Sequence, residues 1–277
     1  MNVLGAIIGD ICGSTYEWNN ETDIDKIELF KKGSRFTDDT VLTIAVMDWL
    51  VQTGGSGDKS MEVLIKCLQK WANKYPKAGY GGMFRKWLTT EGNEPINSFG
   101  NGSAMRVSAC GFAAKSIEEA MDLAKKSAEV THNHPEGVKG AQAVAVAIYL
   151  ARTGCDMEEI RKNIGTRFGY DLHTPVEERP KHKFDATCQV TVPEAFMAFF
   201  NNIDYEQTII EAIAIGGDSD TIAAIAGGIA GAYYGVPSYL TEKAIEILPA
   251  EMFNVINTFN NYYHIACSAK KTFGVSK

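Results

Sequence analysis

The chain has 277 residues, 45% apolar and 22% charged, an ordinary globular composition that excludes intrinsic disorder and sustains a core without staples. The formal net charge of -7 comes with no long basic block, so no nucleic-acid footprint is expected, although helix N-termini and a few local cations can still hold a small anion. The six cysteines, Cys12, Cys67, Cys110, Cys155, Cys188 and Cys267, form no Cys-x-x-Cys pair, which argues against a zinc ribbon or disulfide scaffold and for reduced, mostly buried thiols.

In chain order, Met1 to Asp10 lacks the basic start of a signal peptide, and Asp10 ends its apolar run early. Gly5, Gly9 and Gly13, four apart, put small residues on one helix face. Glu17 and Trp18 follow in a loop, read from residue types alone as a surface acid beside a packed indole. Residues 19–36 are polar and irregular. Thr37 is a natural N-cap, with Asp38 and Asp39 in the first turn of a helix apolar over much of its surface. Gly54 to Gly57 ends it. A second helix is predicted over Ser60–Tyr75, stopped by Pro76.

A turn-rich passage at Gly79–Gly82 leads to a short helix through Phe84, Trp87 and Leu88. The loop Asn97–Arg106 then opens an apolar helix holding Val107, Ala109, Cys110 and Phe112. Its exposed amides make an anion site possible, but no Gly-Lys-[Ser/Thr] is present, so it is not a P-loop. Ser116–Val130 reads as an amphipathic helix, and Thr131–Gly137 starts another, reaching about Arg152. His132 and His134 have no Cys or third His nearby, which argues against a transition-metal site. Residues 154–190 are the least regular, with Glu177-Glu178-Arg179 and Lys181-His182-Lys183 in a solvated loop. A short extended piece is expected near Cys188–Val192, then helices at Glu194–Phe200 and Tyr205–Ile215. Two amphipathic segments near Leu240–Leu248 and Met252–Phe259 close the chain.

Gly216-Gly217-Asp218-Ser219-Asp220-Thr221 opens the run Ile222–Val236, which reads as a buried helix too short to span a membrane and interrupted by four glycines. A soluble, cytoplasmic protein is expected. No strand series, βαβ rhythm or repeat is visible. The expected fold is all-α: one compact domain over residues 1–277, an orthogonal bundle of ten or more helices around a dinuclear metal cleft.

The clusters at 37–40 and 218–221 carry more acid than capping needs, and both precede helices apolar enough to be buried. Buried carboxylates without counter-charge are costly, and Arg35 is the only cation near either in sequence. Divalent ions would balance them. The donors Thr37, Asp38, Asp39, Asp218, Asp220 and Thr221 are all oxygen, which suits Mg²⁺, Mn²⁺ or Ca²⁺ rather than Zn²⁺, and suffice for two adjacent ions. Asp218–Thr221 fails as an EF-hand, since Ile222 stands where a third acid or amide is needed. It also lacks the preceding strand of an aspartyl-phosphate phosphatase.

With Gly5-x-x-x-Gly9-Asp10, Glu17, Phe36–Thr40, Asn101–Arg106, Thr131-His132-x-His134-Pro135 and Gly216–Thr221 in this order, the chain resembles the ADP-ribosylglycohydrolase family. The resemblance runs from Gly5 to about Gly235. It implies a compact all-α fold with two Mg²⁺ or Mn²⁺ ions held by Thr37, Asp38, Asp39, Asp218, Asp220 and Thr221. It implies Glu17 as a catalytic acid near the metals, with Asp39 and Asp218 also catalytic. It implies Gly102, Ser103 and Met105 around a diphosphate and distal ribose, and His134 lining the ligand cleft. The implied reaction removes ADP-ribose from a modified acceptor, most simply arginine, with an ADP-ribosylated protein or small ADP-ribose conjugate as partner. A hydrolase of another ADP-ribose conjugate, serine-linked or small-molecule, a non-catalytic, crystallin-like binder and a dinuclear phosphoesterase are the alternatives. Acceptor and oligomeric state are not readable, and no heptads are sustained.

Overall fold

In the computed structural model, residues 2–90, 93–175 and 184–264 are described. Both charged runs expected in the solvated loop, and Cys267, lie outside them. After a 3-10 turn, the described residues form fourteen α-helices. The first half holds α1 (Gly5–Gly13), α2 (Asp38–Thr53), α3 (Ser60–Lys74), α4 (Gly82–Thr89), α5 (Gly102–Met105), α6 (Ser108–Ala113) and α7 (Ile117–Glu129). The second holds α8 (Pro135–Thr153), α9 (Met157–Phe168), α10 (Cys188–Phe200), α11 (Tyr205–Ala214), α12 (Ser219–Tyr234), α13 (Ser238–Ile247) and α14 (Ala250–Tyr262). Only an isolated bridge, Gly100 to Thr187, stands in for sheet among these residues. The chain is all-α, as its periodicity predicts, and none of its described helices is long and apolar enough to cross a membrane.

The helix starts follow side-chain chemistry. Thr37 caps α2 by accepting from Asp39 N, Ser116 caps α7 from Glu119 N and Asp204 caps α11 from Gln207 N, each contributing about 1 kcal/mol. The organising element is α12, buried from Ser219 to Ala232. It lies antiparallel to α1 with almost no side chain between them. A Cβ on Gly9 would fall inside the carbonyl oxygen of Ala223, and one on Gly5 inside that of Gly227. At Gly13 a Cβ would come 2.5 Å from Asp220 Cα. The glycine spacing therefore brings two backbones together, and Asp10 on α1 reaches the start of α12.

Three expectations are corrected. Residues 154–175 are not irregular throughout: Met157–Phe168 is helical, opened by a capping box in which Asp156 accepts from Glu159 N at 2.8 Å and Glu159 accepts from Asp156 N. The segment Cys188–Val192 is not extended but the first turns of α10, despite Pro193 inside the helix. Val190, Thr191 and Val192 favour strand locally, but Thr191, Val192 and Cys188 are fully buried in this packing, and burial overrides the preference. The Asn97–Arg106 segment is not loop throughout: Gly102–Met105 forms α5, and the apolar helix that follows, α6, begins at Ser108.

Candidate metal and ligand site

The starts of α2 and α12 meet, and the C-terminal half of α1 lies beneath them. Asp10, fully buried, accepts Thr37 N at 2.9 Å, Thr37 Oγ1 at 2.7 Å and Thr40 N at 3.1 Å, and also the Thr40 hydroxyl. One α1 carboxylate thus fixes the first turn of α2. Across the gap, Thr221 Oγ1 donates to Asp39 Oδ2, joining the two acid clusters directly.

Asp218 occupies the N-cap position of α12 but makes no capping bond. Its Oδ2 instead accepts from Asn101 Nδ2 at 2.6 Å, and Asn101 also donates to Thr191 Oγ1 at 3.0 Å. Gly216 and Gly217 have φ of 82° and 70°, a left-handed pair that lets the chain turn sharply out of α11 into Asp218. The Asn20 side chain holds this turn: Oδ1 accepts from Gly217 N at 3.1 Å, and Nδ2 donates to Gly217 O at 3.1 Å and to Tyr16 O at 2.7 Å. The loop bearing Glu17 is thereby fastened beside Asp218.

Two sets of carboxylates fall within 4.8 Å of one another: Asp10, Asp39 and Asp220, and Glu17, Asp218 and Asp220. Asp220 belongs to both. Asp38 belongs to neither and faces the cleft, with Gly79 leaving room for its carboxylate. Burial, then the neighbouring acids, pushes Asp38 up to about 8 and holds Asp39 and Asp220 well above the usual carboxylate range. Burial raises Asp218 as well, and Asp10 to about 6 despite its hydrogen bonds. Glu17 is half-buried, and desolvation followed by repulsion from Asp218 lifts it to about 7, against a lowering pull from exposed Arg35. No described cation forms an ion pair with any of these acids. Asp39 Oδ1 is buried without a hydrogen-bond partner. An orphaned oxygen among like charges, in an all-oxygen donor set, fits a hard divalent cation.

The acids open into a cleft of about 460 Å³. One wall is the segment 96–102. It is held between Thr131, whose carbonyl accepts Ile96 N at 3.1 Å, and residues 186–188, where Asn101 N donates to Ala186 O and Cys188 N to Phe99 O. Gly102 and Met105 line the cleft. The Ser103 side chain does not: it is fully buried and donates to Gly137 O at 2.7 Å. His134 is also outside the lining; it caps α8 by accepting Glu136 N at 3.1 Å and meets Phe99 edge-on. His132 lines the cleft instead. Trp18 is not packed as expected but 77% exposed, stacked on Phe184 at the cleft with centroids 5.0 Å apart.

A family model described as ADP-ribosylglycohydrolase matches residues 2–263. The chain belongs to the ADP-ribosylglycohydrolase family. It is 27% identical to the ADP-ribosylhydrolase ARH3 of Bos taurus, over 84% of this chain and 83% of that protein, and equally identical to ARH3 of Homo sapiens, over 84% of each. It is 25% identical to the ADP-ribosylarginine hydrolase Tri1 of Pseudomonas putida, over 91% of this chain and 76% of that one. A solved structure titled an ADP-ribosylglycohydrolase-related protein complex shares the fold, with a TM-score of 0.75 at 22% identity over 95% of this chain and 96% of the other.

Within this family member, several residues at the site carry no local signal of their roles. Asp10 reads in sequence as a break in an apolar run and as the end of the Gly5-x-x-x-Gly9-Asp10 motif, with nothing to announce its hold on Thr37 and Thr40; Asn20 reads as one polar residue in a polar loop, and Arg106 as the end of a loop motif. The excess of acid at the two helix starts is the signal that does work.

Proposed function

We propose that this chain is a metal-dependent glycosidase that removes ADP-ribose from a modified acceptor, most simply ADP-ribosyl-arginine, by cleaving the C1″ bond. A single catalytic domain and two Mg²⁺ or Mn²⁺ ions belong to this reading, with an ADP-ribosylated protein or small conjugate as substrate. The observation that carries it is the convergence of buried, unbalanced carboxylates from α1, α2 and α12 at one end of a cleft walled by the 96–102 segment. The family membership, and relatives named as hydrolases of ADP-ribosyl groups, support the substrate class.

Thr37, Asp38, Asp39, Asp218, Asp220 and Thr221 would hold the ions, with Asp10 anchoring the turn that carries Thr37. Bound divalent ions supply concentrated positive charge that grips sugar hydroxyls and stabilises developing negative charge. The protein's own part begins with the ligand. Gly102, which lines the cleft without a side chain, would let main chain approach the diphosphate, while Met105 and Phe99 give the wall its apolar surface. His132 takes the ligand-facing place expected for His134. Bond cleavage passes through an oxocarbenium-like state. Glu17, raised to about 7, can hold or accept a proton at its carboxyl near neutral pH. Stacked Trp18 and Phe184 shield the Glu17 side of the cleft.

The test is release of free ADP-ribose from arginine-modified and serine-modified protein, each with Mg²⁺, Mn²⁺ or chelator. Metal-dependent release from the arginine substrate is expected. AMP plus ribose phosphate as products would instead make the protein a phosphoesterase, and binding without release a non-catalytic relative.

A further inference from the structure

We propose that Arg106 and Thr131 are positioning residues that hold His132 in its neutral Nε2–H tautomer, so that the imidazole presents a hydrogen-bond donor to an anionic oxygen in the cleft. The ligand side of this inference rests on the reading of the cleft as an ADP-ribose site; the tautomer does not.

Arg106 is fully buried, and its hydrogen bonds run to oxygen atoms that bear no formal charge. Its Nη2 donates to Ser127 O at 2.6 Å and to Thr131 Oγ1 at 2.9 Å. Thr131 is fully buried too, and its hydroxyl lies 2.7 Å from His132 Nδ1. A guanidinium only donates, so Thr131 Oγ1 must accept from Arg106. Two arrangements remain for the next link. If Nδ1 carried the proton, Thr131 would accept from both sides and its own hydrogen would have no acceptor in a dry site. Such an unmet buried donor is disfavoured. If Nδ1 is bare, the hydrogens run in one direction, from Arg106 to Thr131 to His132, and each link polarises the next.

The second arrangement puts the imidazole proton on Nε2. That atom lies at the cleft end of the ring. A Cβ on Gly102 would stand 3.0 Å from it and one on Gly100 3.7 Å from it, and both glycines line the cleft with His132. Glycine at these positions therefore leaves Nε2–H uncovered. Protonation at Nδ1 is opposed by burial and by the Arg106 charge. The result is a donor that stays neutral, backed by a fixed positive charge at the far end of the chain. That combination suits a phosphate oxygen.

Two variants test it. Thr131→Val keeps the shape and deletes the hydroxyl; Thr131→Ser restores it. Ring ¹⁵N spectra of ligand-free protein, with the His132 signals assigned by their loss in His132→Gln, report the tautomer. ADP-ribose affinity is then measured by calorimetry. Expected are a pyridine-like Nδ1 and pyrrole-like Nε2 in the native protein, loss of that pattern in Thr131→Val with affinity about five- to tenfold weaker, and recovery of both in Thr131→Ser. A pyrrole-like Nδ1 in the native protein, or a Thr131→Val variant with native tautomer and affinity, would overturn the proposal. Failure of native protein to bind ADP-ribose would overturn the reading of the cleft instead, and is separable because the tautomer is read without ligand.

Discussion

Thr221 Oγ1 donates to Asp39 Oδ2 over 3.2 Å, a bond between residues 182 positions apart in sequence. It ties the starts of α2 and α12 into one unit. Thr221→Val deletes this bond together with one of the oxygens proposed to hold an ion, and should bind Mn²⁺ at least about tenfold more weakly. Asp218→Ala should abolish turnover largely through loss of metal. Calorimetric Mn²⁺ titration and metal content check both; full activity with normal metal content in Asp218→Ala would remove that residue from the ligand set.

Without metal, the acids repel one another. Asp220 is held well above the usual carboxylate range by burial and then by Asp39 and Asp218. Asp220→Asn should therefore raise the melting temperature in chelator at neutral pH, corresponding to more than about 1 kcal/mol. It should also shrink the rise that Mn²⁺ produces in the native protein. A variant less stable than native in chelator would contradict the picture of unrelieved repulsion.

Gly9→Ala tests the contact between α1 and α12. Its Cβ would collide with the main chain at Ala223, which a flexible side chain cannot relieve. A loss of about 3 kcal/mol or more is expected in urea unfolding, with weaker metal binding because Asp10 moves with α1. Native stability would mean the helices can separate at little cost.

Glu17 sits among the acids but on a loop, half-buried, with its carboxyl pushed up to about 7 by desolvation and then by Asp218. Glu17→Gln should lower the rate about 100-fold or more while Mn²⁺ affinity stays near native. A loss of metal in step with rate would make Glu17 a ligand.

His132 gives a pH signature in stability. Its folded form resists protonation, because burial and the Arg106 charge oppose it, while in the unfolded chain it titrates near the ordinary histidine value of about 6.5. Below that pH the unfolded state binds the extra proton, so stability falls with pH. Relative to His132→Gln, the native protein should lose up to about 1.4 kcal/mol per pH unit below 6.5. Parallel stability curves for the two from pH 7.5 to 5 would show that the imidazole charges freely in the fold.

The acid pairs at 38–39 and 218–220 are legible in sequence because caps do not need that many carboxylates. The helical class is legible from periodicity. Asp156 and Glu159 form a capping box that the sequence displays, yet the irregular residues after Gly169 mask it. The helical start of α10 is hidden because Val190, Thr191 and Val192 locally prefer strand, and only packing reverses them. His132 and His134 are equivalent in composition; backbone direction alone decides that one faces the cleft and the other caps α8. Asn20 acts across 197 residues on Gly217, and no local pattern announces such a contact.

The abutting backbones of α1 and α12 have a consequence for ion choice. Asp10 and Asp220 are mounted on main chain that can neither close nor spread without breaking the contacts at Gly9 and Gly13. Asp10 fixes the first turn of α2 and Asp220 opens α12, so this helix contact sets the spacing between the two acid clusters. Ca²⁺ needs about 0.3–0.5 Å more per ligand than Mg²⁺, and a flexible loop would yield that distance where this helix pair does not. On the proposed metal-dependent reading, a preference for the smaller ion would rest on Gly5, Gly9 and Gly13, through the helix contact they permit.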